Sequence, residues 1–511
     1  MIGSIYLDSM TITTLDWIVI IGYALGMLFV GFYFSGKNKN SDDYMLGGRN
    51  MSPWKVGLSL FATMFSAVSY LSMPGEMIKY GPMIWSSLFA LPFIYFVVAY
   101  YFIPYIMKLR ITSAYELLET KLDVRTRIVA AVYFLTMRIV WMAVIIYMVS
   151  EKVIVPIMGW PEETALFVSI TMGVVTVIYT SYGGLKSVVL GDVVQTFILF
   201  GGSIVAIILI VNELGGVSNI IPREWPGQWA EFKFFDAQAR LSFLPIVITT
   251  FGWYVCTAGS DQMAIQRYLA TKDIRAARRM YLNSVLSNAV VTLLLAILGL
   301  ALFAYFTMFP DLVLNGNPIV DEADTLFPRF IVIGLPAGFS GLVLAGLLAA
   351  SMSSLSSGIN SSAMSIINDF ILRFSNKTIT DEDQVKLAKY ISFSIGLIIV
   401  LLSFVVGNIK GNLLEITYKT INLLVAPLFV PFFMAMFVKK AKPTATFIGT
   451  LLSGVTAILI SFSQEFFAET ISFLWIIPGS FIVGVLISLF LSLFTNDTLK
   501  MQKRRSDEKT L

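Results

Sequence analysis

The sequence predicts an all-α integral membrane protein of thirteen transmembrane helices, with an inverted five-plus-five repeat at its centre. Three observations carry this. The 511 residues are 57% hydrophobic and 13% charged, with a mean hydropathy of +0.80. Those values exclude a soluble fold, and the length allows a dozen or so spans of about 20 residues. Thirteen apolar stretches of spanning length follow one another along the chain. Two of them are interrupted in matching places. The second contains FATMFSAVSYLSMPGEM, ending on Pro74-Gly75; the seventh contains FGWYVCTAGSDQMAIQR, with Gly252, Gly259 and Ser260-Asp261-Gln262. Each opens a set of five, and paired broken helices in two halves point to a midplane binding site between inverted repeats. Gly and Pro also kink membrane helices without any such role, and that alternative stands on pattern alone.

The spans read as 13–35, 54–80, 83–107, 126–155, 163–182, 187–211, 243–263, 283–308, 339–366, 387–407, 415–438, 443–463 and 472–495. An odd number places the termini on opposite sides. With the N-terminus outside, the inner segments are 36–55, 108–127, 183–186, 267–279, 373–389, 439–442 and 500–509, and they hold 27 of the 36 Lys and Arg. The outer loop 309–325 carries Asp311, Asp321, Glu322 and Asp324 and no base. The N-terminus is therefore expected outside and the C-terminus in the cytoplasm, across the plasma (inner) membrane. The opening MIGSIYLDSM has no basic region, so the first span reads as retained rather than cleaved. Residues 1–53 are expected to form an extra span and inner loop, 54–211 the first repeat and 212–242 an outer loop. Residues 243–438 then form the second repeat, 439–496 two further spans and 497–511 a charged tail.

The chain has no histidine and a single cysteine, Cys256. His-based proton relays, intrachain disulfides and cysteine metal clusters are excluded. An intramembrane serine hydrolase would lack a histidine to activate its serine. The chain reads as a non-enzyme without cofactor or nucleic-acid partner, its partners being the lipid bilayer and its cargo. A channel would want a continuous polar pore, whereas the polar residues cluster at the midplane.

The densest cluster is in GLVLAGLLAASMSSLSSGINSSAMSI, 341–366. Ser353, Ser354, Ser356, Ser357, Asn360 and Ser361 recur at helical spacings and share one side. That side faces protein, water or an ion, because hydrocarbon cannot satisfy it. Sodium wants oxygen ligands, and hydroxyls with loosened carbonyls supply them. Small-residue helix packing and back-bonding serines give the other reading.

The chain resembles the sodium/solute symporter family of sodium-coupled sugar, proline, pantothenate, monocarboxylate and sialic acid transporters. The motifs are Asp43-Tyr44-Met45-Leu46-Gly47-Gly48-Arg49, Ile111-Thr112-Ser113-Ala114-Tyr115-Glu116 and Tyr182-Gly183-Gly184-Leu185-Lys186 before Asp192. Asp261-Gln262 with Gln266-Arg267 and the serine run after Ala350 complete the set. The resemblance covers residues 10–495 and implies the inverted five-plus-five (LeuT-like) bundle, with its first and sixth core helices unwound. It implies a principal sodium site from the carbonyls of Ala62, Phe65 and Ala350 and the hydroxyls of Ser353 and Ser354. It also implies, for some members, a second sodium site, here Asp192, Ser353, Ser356 and Ser357. Helix capping is the alternative for Asp192. One or two sodium ions would thus be coupling ions.

Arg138 lies in YFLTMRIVWMAVIIYMV, 11 residues past Arg127 and so about 16 Å deeper along a helix. A guanidinium at that depth is costly, and its planar donors suit a carboxylate. A structural salt bridge is the alternative; Asp192, and Glu415 beside Lys419, are the acids considered as partners. Members for carboxylate substrates resemble this chain in placing an arginine near here. The sugar transporters differ, with glutamine at the position of Ser69, Asn-Gln at Asp261-Gln262 and an aromatic gate at Met263. Ser66, Ser69, Met73, Arg138 and Phe251 are expected to line the pocket. The function expected is sodium-coupled import of a small organic solute by alternating access, one bearing a carboxylate such as sialic acid or a monocarboxylate. A neutral sugar or polyol symporter, or a proton-coupled transporter using Asp192, is the alternative.

Overall fold

The computed structural model describes residues 12–36, 40–109, 111–236, 241–313, 317–376, 378–406, 422–467 and 471–495. Regular structure among them is helical throughout, and ten helices are long and apolar enough to cross a membrane. Large apolar side chains, among them Phe29, Phe93, Phe197, Leu397 and Phe490, are exposed on the outside of the bundle. That is the surface of a multi-pass membrane protein, turned toward hydrocarbon rather than water.

Helix α1 (Thr14–Ser35) opens on a capping box between Thr13 and Asp16. Asp16 Oδ1 also accepts the backbone N–H groups of Gly338 and Gly341, at 2.8 and 2.6 Å, so one carboxylate caps two helix starts. The next span is broken in two, α2 (Pro53–Met64) and α3 (Ala67–Tyr80), with extended Phe65 and Ser66 between. Helix α4 (81–107) follows α3 directly, through Gly81 at φ 76°. Short α5 (Glu116–Lys121) precedes α6 (Val124–Met158).

The fifth and sixth stretches, expected as helices separated by an inner loop at 183–186, are two helices that meet at a single non-helical residue and are labelled together α7 (Ala165–Glu213). Its single departure is Gly184 (φ 61°, ψ −159°), where the chain turns without leaving helical structure on either side. A Cβ there would lie 2.7 Å from the Tyr44 carbonyl oxygen, so only glycine fits both the angle and the space.

The seventh span is also broken, α8 (Phe243–Ser260) and α9 (Gln262–Leu269), at extended Asp261. All eight residues of α9 are buried, including Arg267. Arg267 therefore does not belong to the inner basic segment 267–279 in which the charge count placed it. Its charge is met by polar groups inside the bundle, which hydropathy does not register. Helix α10 (Ile274–Met308) starts well before the expected 283. It packs closely on α2: a Cβ on Gly57 would meet the Met280 carbonyl at 2.5 Å. Helix α11 (Ala323–Ile333) is followed by α12 (Phe339–Phe374), which carries the serine run, and by α13 (Asp381–Val406). Helices α14 (Val425–Phe437), α15 (Pro443–Ser461) and α16 (Phe473–Phe494) complete the bundle. Glu415, Lys419 and the 497–511 tail lie outside the described residues.

Helix α12 is buried on nearly all sides, with α7, α1, α6 and α2 packed around it. Two large apolar clusters form the core. One contains Ala62, Phe65 and Ala350; the other contains Met137, Met263 and Phe429. At one end, Arg127 donates to Glu119 and Asp369, Arg373 donates to Glu119, and Ser113 donates to Asp369 at 2.7 Å. These bonds pin α5, α6 and the end of α12 together.

Candidate functional site

The break in α2/α3 arises from a hydroxyl competing with the helix. Ser66 Oγ accepts from the Ser69 N–H at 3.2 Å and starts α3 as its N-cap. Helix α2 ends on the Phe65 N–H bonding to the Phe61 carbonyl at 2.9 Å. The carbonyls that follow, Ala62's among them, have no partner in their own helix. Thr63 Oγ1 lies 2.8 Å from Ser357 Oγ, which fastens this loosened turn to the serine face of α12.

On that face Ala350, Ser353 and Ser354 are all buried. Ser353 donates to Asp192 Oδ1 at 2.6 Å. Ser354 Oγ is buried with no hydrogen-bond partner among the described residues. An orphaned hydroxyl at this depth is costly unless a ligand satisfies it. The structure thus brings α2's frayed carbonyls and the Ser353–Ser354 pair onto facing elements.

Asp192 sits well inside α7 and bonds across helices rather than to its own N-terminus. Ser59 donates to its other oxygen at 2.5 Å, and the Arg267 guanidinium lies 3.6 Å away. Arg267 also donates to Ser357 at 2.5 Å and Thr63 at 2.8 Å. Of the four residues expected at a second ion site, Asp192, Ser353 and Ser357 share this one polar network. Ser356 instead donates to the Ser353 carbonyl of its own helix at 3.0 Å. Ser59, Thr63 and Arg267 were missing from the expected set. Ser59 and Thr63 are four apart on α2, a spacing that puts both on one face.

A cavity of about 300 Å³ opens beside the α2/α3 break. Ser66, Ser69, Met73 and Arg138 line it, as do Trp141, Trp253 and Glu76. Phe251 is not among its lining residues; the lining face of α8 is Thr249, Thr250, Trp253 and Tyr254, and Phe251 packs into an apolar cluster instead. Arg138 has a partner that sequence reasoning overlooked. Its Nη2 donates to Asp261 Oδ2, so neither Asp192 nor Glu415 is needed to neutralise it. Asp261 Oδ1 accepts from the Met263 N–H at 2.8 Å and caps α9. Only part of the guanidinium is used: Arg138 Nε is buried without a partner among the described residues. The motif shows an acid at a helix break, but which base it faces is set by the fold.

Comparison with known proteins gives a consistent result. The profile of the Sodium:solute symporter family matches residues 44–454. The Sodium/sialic acid symporter SiaT of Proteus mirabilis is 29% identical over 88% of this chain and 90% of its own. The Sodium-coupled monocarboxylate transporter 1 of Homo sapiens is 28% identical, over 89% of this chain and 75% of its own. A solved structure of a Na⁺-coupled sialic acid symporter, substrate-bound and outward-open, superposes with a TM-score of 0.83 at 26% identity, covering 95% of this chain and 99% of that one. The chain belongs to the sodium:solute symporter family, a transporter coupled to sodium and not an enzyme.

Proposed function

We propose that the protein imports a small carboxylate-bearing solute, sialic acid or a similar acid, together with sodium by alternating access. One observation carries the substrate class: a deep guanidinium, Arg138, lines the 300 Å³ cavity with its Nε unpartnered among the described residues. Such a group suits a carboxylate. The sialic acid and monocarboxylate relatives support the same class. Sodium would enter a site of the Ala62, Phe65 and Ala350 carbonyls and the Ser353 and Ser354 hydroxyls. Five neutral oxygens replace much of its hydration and still let it leave. A second ion would use Asp192, Ser353 and Ser357, with Ser356 turned to join them; the matching sialic acid symporter structure is described as revealing a novel Na⁺ site. The reading takes the chain as thirteen spans with an inverted five-plus-five core in the plasma membrane with the N-terminus outside; the two broken helices support the core, and the excess of Lys and Arg in the expected inner segments supports the orientation.

A neutral sugar or polyol is the second reading, favoured by the Arg138–Asp261 pair, which already cancels the cavity's guanidinium charge. Uptake into proteoliposomes separates the two. Sialic acid and lactate, each against its amide, and a panel of neutral sugars are offered under an inward sodium gradient. The acids should enter, and replacing sodium with potassium at constant pH and voltage should abolish entry. Equal uptake in potassium refutes sodium coupling; entry of sugars and not acids refutes the carboxylate.

A further inference from the structure

Helix α9 is tied into the bundle by two buried ion pairs of opposite polarity. At its N-cap, Asp261 accepts from Arg138 of α6. In its last turn, Arg267 faces Asp192 of α7 at 3.6 Å. The first pair borders the substrate cavity and the second lies in the network proposed for sodium. All eight residues of the helix are buried, and the helix joins the two anchors directly. We infer that Asp261 is an internal stand-in for the substrate carboxylate, which must displace it from Arg138, and that α9 thereby links substrate binding to the sodium network. This rests on the carboxylate reading above and adds a specificity-determining residue to it.

The chemistry allows the exchange. Arg138 lines the cavity, and of its five N–H donors a single one, on Nη2, is bonded among the described residues, so an incoming carboxylate can bind the guanidinium before Asp261 leaves. Asp261 does not become an orphan when it leaves. Its Oδ1 already accepts from the Met263 N–H, and the start of α9 favours an anion. At the other end a cation beside Asp192 takes over the role of the Arg267 charge. Arg267 keeps Ser357, Thr63 and the Met263 carbonyl as acceptors. Each ligand therefore loosens one anchor of the same short helix, and by linkage each raises the other's affinity by the same factor.

The test is equilibrium binding to the purified full chain in detergent, using sialic acid and lactate, each against its amide, at low and at saturating sodium. The variants are Asp261→Asn, which keeps the N-cap but removes the competing charge, and Asp261→Glu, which keeps the charge. In Asp261→Asn the acid should bind about tenfold tighter at low sodium, the amide should be unchanged, and the gain in acid affinity on adding sodium should shrink at least threefold. Asp261→Glu should return all three toward wild type. Loss of acid and amide affinity together in Asp261→Asn would make Asp261 a structural cap and overturn the exchange. So would tighter acid binding with the sodium effect intact, which breaks the link through α9. If Asp261→Asn does not fold, Asp261→Ser decides: it keeps an N-cap oxygen without the charge and should raise acid affinity and not amide affinity, and equal shifts overturn the exchange. A wild-type protein that binds acid and amide alike overturns the carboxylate reading itself, and the exchange falls with it.

Discussion

Buried serines in membrane helices usually return their hydroxyl to a carbonyl one turn back. Ser351 donates to the Leu347 carbonyl at 3.0 Å, and Ser361 to that of Ser357 at 2.6 Å. Ser354 does not. Its natural acceptor would be the Ala350 carbonyl, so both oxygens keep capacity for another ligand, and both are in the expected sodium set. Ser354→Ala removes no hydrogen bond that the described residues show, so thermal stability in sodium-free buffer should hold. The sodium concentration for half-maximal uptake should rise roughly tenfold, the scale of losing one charge-assisted contact of about 1.5 kcal/mol. Ser351→Ala is the control and should leave the sodium dependence alone; equal shifts in both would remove Ser354 from the site. The serine face was readable from spacing, because helical periodicity is local. The partner of Arg138 was not, because Asp261 is 123 residues away in sequence and nothing local reports which acid faces which base.

Among the elements, the two broken helices were legible because each break is written in residues that compete with a helix: Ser66 as an N-cap, Asp261 as another. The reach of α9 was not legible. Its Gln266 and Arg267 read as the exit from the membrane, yet Gln266 Nε2 donates to Asn360 of α12 at 2.7 Å and Arg267 is wholly buried. Hydropathy scores a side chain by its own polarity and is blind to partners within the bundle. The turn at Gly184 was expected as a four-residue loop, and the structure concentrates it in one residue. Gly184→Ala should therefore be severe. A residue with a side chain pays about 1–3 kcal/mol at φ 61°, ψ −159°, a region left to glycine, before its Cβ meets the Tyr44 carbonyl at 2.7 Å. Gly201→Ala, in the same helix with nothing within 4 Å of the added methyl, should be neutral or mildly stabilising. Thermal unfolding of the two variants side by side checks this. A Gly184→Ala protein as stable as wild type would show that the turn is not confined there.

For the whole molecule, the charge count predicted which segments share a side, and the contacts join those segments. Lys186 pairs with Asp43, Arg49 reaches the Ile111 carbonyl, and Ser41 donates to Asp381, which links 36–55, 108–127, 183–186 and 373–389. Segments assigned to the opposite side also meet, through Lys79 with Asp324 and Trp229 with the Ile78 carbonyl. These contacts say which segments are together. The excess of Lys and Arg predicts which face is cytoplasmic, since basic loops resist transfer across the membrane. Impermeant thiol labelling of intact cells tests the assignment, and the chain suits it because its one cysteine, Cys256, is buried. Asp311→Cys should label from outside, while Lys386→Cys should label only after permeabilisation; both positions are exposed. The reverse pattern would turn the molecule over in the membrane. Labelling of both in intact cells would place an even number of crossings between them, against the one span, 339–366, expected between 311 and 386.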